Sequence, residues 1–408
     1  MSTLCEESKN KKNPGNALLL GAQARAAKAK DPSVIDSTIG MLYDEDGKFF
    51  TFKTVQKAES TLSSSEKYSY GSTCGSNEFH EAVYNWVFRQ YLNEFKENCY
   101  LDCIATPGGT GALCLSFENY LDLGQKVLLP NYMWANYTQL AEEASLGYET
   151  FELFNNEGTF NLESFKQHCI ALKKEQGRVV CVINDPCENP TGYSMSYTDW
   201  IGVVQVINDL TRDSTPFVLI YDMAYIDYDK RGFDVSRNNI RLFEKFNKSV
   251  LTIMCFSGSK TLGLYGLRVG AQLCVAQTEE DRNAFHEAND FSARGKWSGV
   301  STLGQNIITK VLTTYYDDFA SEIEEARKLL IDRANAFIEE AKKVNLYHVP
   351  FDCGFFVTIP VDNPQETFEK LKAKGLYTLP IKGAIRLTIS SISKNEVIRA
   401  VHILKETV

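Results

Sequence analysis

Hydrophobic positions between residues 77 and 276 form short apolar runs that alternate with longer stretches of helical spacing. The runs predict strands at 101–106, 126–130, 148–153, 179–184, 216–221, 249–256 and 269–276. The stretches predict helices at 77–97, 111–121, 134–144, 162–174 and 197–212. Strands and helices that alternate in this way form a mostly parallel sheet with helices on both faces. The pattern therefore predicts an α/β fold with a seven-stranded sheet.

The pattern changes after residue 298. Residues 299–345 have an almost unbroken helical spacing, which predicts one long helix. Beyond it, the sequence predicts short strands at 347–351, 355–359 and 384–390 and helices at 365–374 and 393–405. We therefore expect a smaller α+β domain after the large one, with the long helix joining them, and the placement of the motifs described below adds residues from the N-terminal end to this small domain. The expected division is an N-terminal arm and part of the small domain at 1–50, a large domain at 51–310, and an interdomain helix with the small C-terminal domain at 311–408.

Composition and charge exclude several classes of protein. The 408 residues include 43 Lys and Arg against 52 Asp and Glu, a net charge of −9, which argues against a nucleic-acid partner. No apolar run approaches the about 18 residues that span a bilayer, so no membrane partner is expected. Eleven scattered cysteines and five histidines show no metal-ligand spacing, and we expect a cytoplasmic protein with reduced cysteines and no metal site. The polar residues 1–15 lack the pattern of a secretory signal.

Two strand ends carry residues suited to an anion and to covalent chemistry. Pro107–Gly111 follows the predicted strand 101–106 and opens a helix, an arrangement that suits either a phosphate cradle or a tight turn. Lys260 follows the strand at 249–256. The surrounding residues fail the P-loop pattern because Ser259 stands where a glycine is required. A lysine in this position can instead form a Schiff base with a carbonyl compound.

Further chemical groups follow three other strands. Asp222 ends one strand, Asn189 lies in a loop after another, and Trp134 follows a third. Taken singly, each is more often a strand-end, turn or core residue. Taken together, a phosphate cradle, a Schiff-base lysine, a carboxylate for a protonated ring nitrogen and a flat aromatic side chain are what pyridoxal 5'-phosphate requires.

The same segments resemble the class I (fold-type I) pyridoxal-phosphate-dependent aminotransferases, and within them the aspartate/aromatic aminotransferase subgroup. The resemblance runs from about residue 39 to Arg386. Its most specific part is Ser257-x-Ser259-Lys260-x-x-Gly263-Leu264-Tyr265-x-x-Arg268-Val269-Gly270. Asn189-Pro190-Thr191-Gly192 and Asp222-x-Ala224-Tyr225 precede it at the intervals of the family.

The resemblance implies how the cofactor is held. Lys260 binds it as a Schiff base and later moves the Cα proton, Asp222 keeps the ring nitrogen protonated, and Trp134 stacks on the ring. The other implied contacts are Asn189 and Tyr225 at the ring oxygen, Gly109, Thr110, Ser257 and Arg268 at the phosphate, and Tyr70 at the phosphate of the neighbouring subunit. The implied catalytic residues are Lys260, Asp222, Tyr225 and Tyr70.

The resemblance also implies the substrate contacts and a homodimer with shared active sites. Arg386 matches the arginine that binds the α-carboxylate, and Arg294 matches the one that the partner subunit offers to a side-chain carboxylate. The segment at 299–303 departs from the family pattern, so specificity for dicarboxylates and a solvated Arg294 both stay open. The implied substrate-binding residues are Gly40, Trp134, Asn189, Arg294 and Arg386.

The function implied is amino acid metabolism by transamination. The enzyme would move an amino group from an L-amino acid, either aspartate or glutamate or an aromatic one, to a 2-oxo acid by a ping-pong mechanism. A β-lyase (C–S lyase) on the same fold is the main alternative, because the cofactor residues do not determine the reaction. A non-catalytic binding protein on this fold is a further alternative, which the intact Lys260 argues against.

Overall fold

The computed structural model describes residues 3–5, 8, 9, 11 and 17–408. The predicted N-terminal arm therefore lies partly outside the described residues. The first helix of the described part of the chain is α1 (Ala17–Lys28), and the short strand β1 (Ile35–Asp36) follows it.

The central feature of the structure is a large sheet. Seven strands of the described residues form it, namely β2 (Tyr100–Thr106), β3 (Lys126–Pro130), β4 (Gly147–Phe151), β5 (Val179–Asn184), β6 (Phe217–Asp222), β7 (Val250–Ser257) and β8 (Gly270–Ala276). Their order is β2-β8-β7-β6-β5-β3-β4. Strand β8 is antiparallel to both of its neighbours, and the other neighbouring pairs are parallel. The predicted mostly parallel, seven-stranded sheet is confirmed.

Helices bury both faces of this sheet. Along β5, Val180 and Val182 belong to one hydrophobic cluster, whereas Cys181 and Ile183 belong to another. Successive side chains of a strand point to opposite faces, so each cluster fills one side of the sheet. This burial explains why the central strands are apolar along their whole length.

The helices between residues 53 and 296 mostly follow the predicted pattern. They are α2 (Lys53–Ser60), α3 (Ser64–Tyr68), α4 (Asn77–Phe88), α5 (Leu92–Asn98), α6 (Gly108–Glu118), α7 (Asn136–Glu143), α8 (Leu162–Gln176), α9 (Tyr197–Leu210), α10 (Phe233–Arg241), α11 (Gly258–Thr261) and α12 (Glu279–Lys296). The single helix predicted at 77–97 is wrong, because Arg89 has a φ of 49° and interrupts it between α4 and α5. The pattern did not predict α12, which buries only Phe285, Asn289 and Ala293 along its 18 residues.

The long helix predicted at 299–345 is also wrong. The chain forms two helices, α13 (Thr302–Thr313) and α14 (Tyr316–Val344), which are separated by a turn. Asp317 and Asp318 lie in the first turn of α14. Acidic side chains stabilise the N-terminus of a helix, so this pair favours a new helix start at that point.

The C-terminal residues form a smaller sheet with two helices. Strands β9 (Phe356–Pro360), β11 (Leu379–Ile381) and β12 (Ala384–Thr388) pair antiparallel in the order β11-β12-β9, and β10 (Leu376–Tyr377) pairs in parallel with β1. The helices are α15 (Pro364–Ala373) and α16 (Lys394–Lys405). The strand predicted at 347–351 is wrong: this segment is irregular and contains Pro350, which has no N–H to donate.

The described helices do not include one that is both long and apolar enough to cross a lipid bilayer.

Candidate active site

Lys260 lies just beyond the carboxyl end of β7, in the short helix α11. Its amine donates a hydrogen bond to the carbonyl oxygen of Gly40 at 2.5 Å. The ring centroids of Tyr265, Phe355 and Tyr225 lie 5.0, 5.3 and 5.6 Å from the amine. Burial lowers the pKa of Lys260 to about 7, and the positive charges of two arginines act in the same direction. Near neutral pH, a large fraction of this amine is therefore unprotonated, as a nucleophile or a base must be.

Asp222 is the last residue of β6 and is buried. Its Oδ2 accepts a hydrogen bond from the Tyr137 hydroxyl at 2.6 Å, and its Oδ1 accepts one from the Ala224 N–H at 3.1 Å. Burial raises the pKa of Asp222, whereas these two hydrogen bonds lower it. The ring of Trp134 packs edge-on against Tyr137, with 5.6 Å between the ring centroids.

Tyr137 is a site residue that the sequence reasoning missed. It follows Trp134 by three residues within the predicted helix 134–144, a spacing that places two side chains on one face of a helix. That spacing was the available signal. Tyr137 is fully buried, and its hydroxyl is directed at the Asp222 carboxylate.

Two asparagines connect the loops that follow β5 and β6. The Asn184 side chain donates to the Asp222 carbonyl oxygen at 2.8 Å and accepts a hydrogen bond from the Asn189 N–H, also at 2.8 Å. Asn189 then accepts a hydrogen bond from Arg386 Nη1 through its Oδ1, at 3.2 Å. The Asn189 and Asp222 loops are therefore held in a common arrangement with Arg386.

Arg386 is a buried cation in β12. Its Nη2 donates to the Thr38 carbonyl oxygen at 3.0 Å, and the ring of Phe356 lies 4.1 Å from the guanidinium carbon. Within the described part of the chain, its Nε has no hydrogen-bond partner and no carboxylate forms an ion pair with it. Burial lowers the pKa of Arg386 to about 10. A buried, uncompensated guanidinium with a free N–H is suited to bind the carboxylate of a ligand.

The start of α6 forms a cradle with Arg268. Gly108 has a φ of +71°, and a Cβ atom on it would lie 2.9 Å from Arg268 Nη2. The same nitrogen lies 3.5 Å from the Thr110 hydroxyl oxygen. A Cβ atom on Gly109 would lie 3.3 Å from that of Ser257. The structure thus brings a cation and two hydroxyl groups to the N-terminus of an 11-residue helix, where an anion is favoured.

Glu188 is a second site residue that the sequence reasoning missed, and it had no sequence signal because its segment has the composition of an ordinary loop. It is buried, and its Oε2 accepts a hydrogen bond from the Thr191 N–H at 2.9 Å. Burial raises the pKa of Glu188 to about 8, although the Thr191 hydrogen bonds and Arg386 act in the opposite direction. Burial thus favours the protonated form of Glu188, whereas its interaction with Arg386 favours the ionised form.

Tyr70 and Arg294 lie away from this group of residues. The Tyr70 side chain is fully exposed, at 105% relative accessibility. Arg294 is an exposed residue of α12, and its Nη1 donates to the Ser298 hydroxyl at 2.5 Å. Two of the remaining predicted site residues come from elsewhere in the chain: Gly40, from the N-terminal segment, contacts Lys260, and Arg386, from β12, contacts Asn189. The others lie at or after strand ends of the large sheet, namely Gly109, Thr110, Trp134, Asn189, Asp222, Tyr225, Ser257, Lys260 and Arg268. No cluster of potential metal ligands occurs among the described residues.

Comparison with known proteins identifies relatives along the whole chain. The family model for aminotransferase class I and II matches residues 32–404. The mitochondrial aspartate aminotransferase of Saccharomyces cerevisiae is 25% identical over 331 residues, which cover 73% of this chain and 72% of that protein. The crystal structure of an aminotransferase from Anaerococcus prevotii has a TM-score of 0.94 at 28% identity and covers 100% of this chain and 99% of its own. An aromatic-amino-acid aminotransferase from Burkholderia pseudomallei, covalently bound to pyridoxal phosphate, has a TM-score of 0.81 at 20% identity, with 99% and 100% of the two chains covered.

Proposed function

This chain belongs to the class I and II aminotransferase family, and we propose that it transfers an amino group from aspartate, glutamate or an aromatic L-amino acid to a 2-oxo acid. The enzyme uses pyridoxal 5'-phosphate and works by a ping-pong mechanism. The observation that carries the proposal is Lys260, an amine just beyond β7 whose pKa of about 7 is influenced by the nearby charges of Arg386, Arg268 and Asp222. The family and its relatives are aminotransferases, so the β-lyase alternative is not favoured.

The residues present fit this cofactor. Lys260 would hold it covalently, Asp222 would face its ring nitrogen, and the cradle at the start of α6 would receive its phosphate with Arg268. The full burial of Tyr137 and its hydrogen bond to Asp222 support a carboxylate that is held in one orientation. When bound, pyridoxal 5'-phosphate supplies an electron sink for the negative charge that develops at the substrate Cα.

The side chains of the site position the substrate and move its proton. Arg386 would bind the α-carboxylate through its Nε, which has no partner within the described residues, and Asn189 would hold the guanidinium from the other side. The unprotonated amine of Lys260 would accept the proton from the substrate Cα and pass it to the cofactor. The ring centroid of Tyr225 lies 5.6 Å from that amine, and its hydroxyl would donate a hydrogen bond to the ring oxygen of the cofactor.

We also propose that the functional unit is a homodimer. Tyr70 and Arg294 would reach the partner's site, Tyr70 at the phosphate and Arg294 at a side-chain carboxylate. The exposure of both residues supports this arrangement, as does the exposure of Phe291, one turn before Arg294 in α12, at 83%. Large apolar side chains at a surface often mark an interface.

The domain division and the location are proposals as well. A large domain at 51–310 and a small domain from 1–50 and 311–408 are supported by the pairing of β1 with β10. The ten cysteines from Cys74 to Cys353 are all free, which fits a reducing compartment such as the cytoplasm.

An absorption spectrum of the purified protein tests the reaction. Added pyridoxal 5'-phosphate should produce a visible band that an amino acid donor bleaches, and a 2-oxo acid acceptor should restore it. The Lys260→Ala variant should lose turnover. A wild-type protein that stays colourless after cofactor addition would refute the proposal. Formation of pyruvate and ammonia without a 2-oxo acid acceptor would favour the lyase.

A further inference from the structure

A fully buried ion pair lies next to α11, the helix that carries Lys260. Arg237 Nη2 donates to Asp227 Oδ1 at 2.6 Å, and neither side chain is exposed at all. It is the only ion pair among the described residues in which neither side chain is exposed to solvent. Buried ion pairs add little net stability compared with apolar residues, so a pair of this kind raises the question of what it positions.

Asp227 connects this pair to the helix that carries Lys260. Its Oδ2 accepts hydrogen bonds from the Thr261 hydroxyl at 2.7 Å and from the Trp86 indole N–H at 3.2 Å. Thr261 is adjacent to Lys260 in the chain and is itself buried. One oxygen of the Asp227 carboxylate therefore binds Arg237, and the other accepts hydrogen bonds from side chains of α11 and α4.

A second contact holds Lys260 from the same segment. The Tyr228 hydroxyl donates to the main-chain carbonyl oxygen of Lys260 at 2.9 Å. Asp227 and Tyr228 follow Tyr225 by two and three residues, in the same segment as Asp222. The segment 222–228 thus carries two side chains of the proposed reaction site, Asp222 and Tyr225. Two more of its side chains, those of Asp227 and Tyr228, form hydrogen bonds with α11.

Helix α11 is very short, so it has few hydrogen bonds of its own to hold it in place. This helix has four residues, Gly258–Thr261, and so few residues provide little rigidity by their own hydrogen bonds. The hydrogen bond from Thr261 to Asp227 supplies a fixed point that does not depend on the cofactor.

From this geometry we infer that Asp227 is a positioning residue for Lys260. Charge-compensated by Arg237, it acts through the Thr261 hydroxyl to fix α11 against the segment that carries Asp222 and Tyr225. The inference rests on the proposed role of Lys260. It implies that loss of the Thr261 hydrogen bond lets the lysine amine move out of its apolar surroundings.

Thr261→Val tests this inference, because it removes the hydroxyl but keeps the shape of the side chain. Thr261→Ser, which restores the hydroxyl, should recover the wild-type behaviour. Thr211→Val is the matched control, because Thr211 is buried and its hydroxyl donates to the Ile207 carbonyl oxygen at 2.8 Å, outside the site.

The first readout is the reactivity of Lys260 in the cofactor-free protein. The rate of its acetylation by acetic anhydride is followed against pH by peptide mass spectrometry. Thr261→Val should move the inflection upward from about 7 by about one pH unit or more, because the amine regains solvation. Turnover is the second readout: kcat should fall about 10- to 100-fold while KM changes less, since misplacement of a reacting group affects mainly the chemical step.

The outcomes separate the two proposals. If Thr261→Val lowers only the melting temperature, as Thr211→Val should, and leaves the inflection and kcat at wild-type values, then Asp227 does not position Lys260. The same conclusion follows if Thr261→Ser fails to recover either readout. Acetylation requires no turnover, so it tests whether Asp227 positions Lys260 even if the wild-type protein is inactive. Inactivity of the wild-type protein would instead count against the proposed function.

Discussion

The Lys260 amine donates a hydrogen bond to the Gly40 carbonyl oxygen, although 220 residues separate the two positions. The absence of a side chain at Gly40 makes room for the neighbouring Phe356 ring. A Cβ atom there would lie 3.6 Å from the Lys260 amine and would overlap the Phe356 ring. The same ring covers the guanidinium of Arg386, with 4.1 Å between the guanidinium carbon and the ring centroid. Gly40 therefore contacts the Lys260 amine directly and is linked to Arg386 through the Phe356 ring.

Gly40→Ala should therefore displace Phe356 from Arg386. We expect KM for amino acid donors to rise and stability to fall by about 1–3 kcal/mol, the usual cost of overpacking. Steady-state kinetics and urea unfolding measure both effects. Adding Phe356→Leu should recover part of the stability, because a smaller side chain makes room for the methyl group. A Gly40→Ala protein with wild-type KM and stability would contradict this account.

The lowered pKa of Lys260 should appear in the pH dependence of stability. The folded cofactor-free protein releases the lysine proton near pH 7, whereas the unfolded chain retains it up to about 10.5. Between these values the unfolded state binds more protons, so the free energy of unfolding rises with pH by up to about 1.4 kcal/mol per unit from this group. Lys260→Met lacks this contribution. Urea unfolding at pH 6.5 to 9.5 should show wild type gaining on the variant, and parallel curves would refute the shift.

Tyr137→Phe should change the protonation of Asp222. The lost hydrogen bond normally lowers the pKa of that carboxyl, so the variant should have a higher pKa and a smaller ionised fraction at acid pH. The acid limb of the kcat profile should move to higher pH, and stability should fall by about 1–3 kcal/mol. Tyr221→Phe is the control, because the buried Tyr221 hydroxyl has no partner among the described residues. Equal effects of both substitutions would exclude a specific role for Tyr137.

Arg294→Ala should distinguish dicarboxylic from aromatic donors. If Arg294 binds a side-chain carboxylate across the dimer, kcat/KM for aspartate and glutamate should fall about 10- to 100-fold, the value of a charge-assisted hydrogen bond, and that for phenylalanine should barely change. Arg386→Ala should reduce kcat/KM for every donor, because all of them carry the α-carboxylate. Equal losses for both classes in Arg294→Ala would remove the proposed assignment.

Much of the fold was predictable from hydrophobic spacing. The seven strands of the large sheet appear within two residues of the predicted ends because doubly covered strands are apolar along their length. The errors lie where a local feature interrupts a regular pattern, such as the positive φ of Arg89 or the new helix start before Asp317. Hydrophobic spacing carries no information about either feature.

The sequence by itself determined which chemical groups stand at the strand ends. Lys260, Asp222 and Asn189 follow three strands that run in parallel, and parallel strands bring their carboxyl ends to one edge of a sheet. The order of residues was therefore enough to predict that these groups would meet, while their roles stay predictions.

Only the tertiary structure decided what surrounds those groups. Lys260 meets Gly40 across 220 residues, Asp222 meets Tyr137 across 85, and Thr261 meets Asp227 across 34. Each contact depends on how helices, loops and the small sheet pack against the large sheet, which no local spacing encodes. Packing removes water from these side chains, and that loss of solvation lowers the pKa of Lys260 and raises that of Asp222.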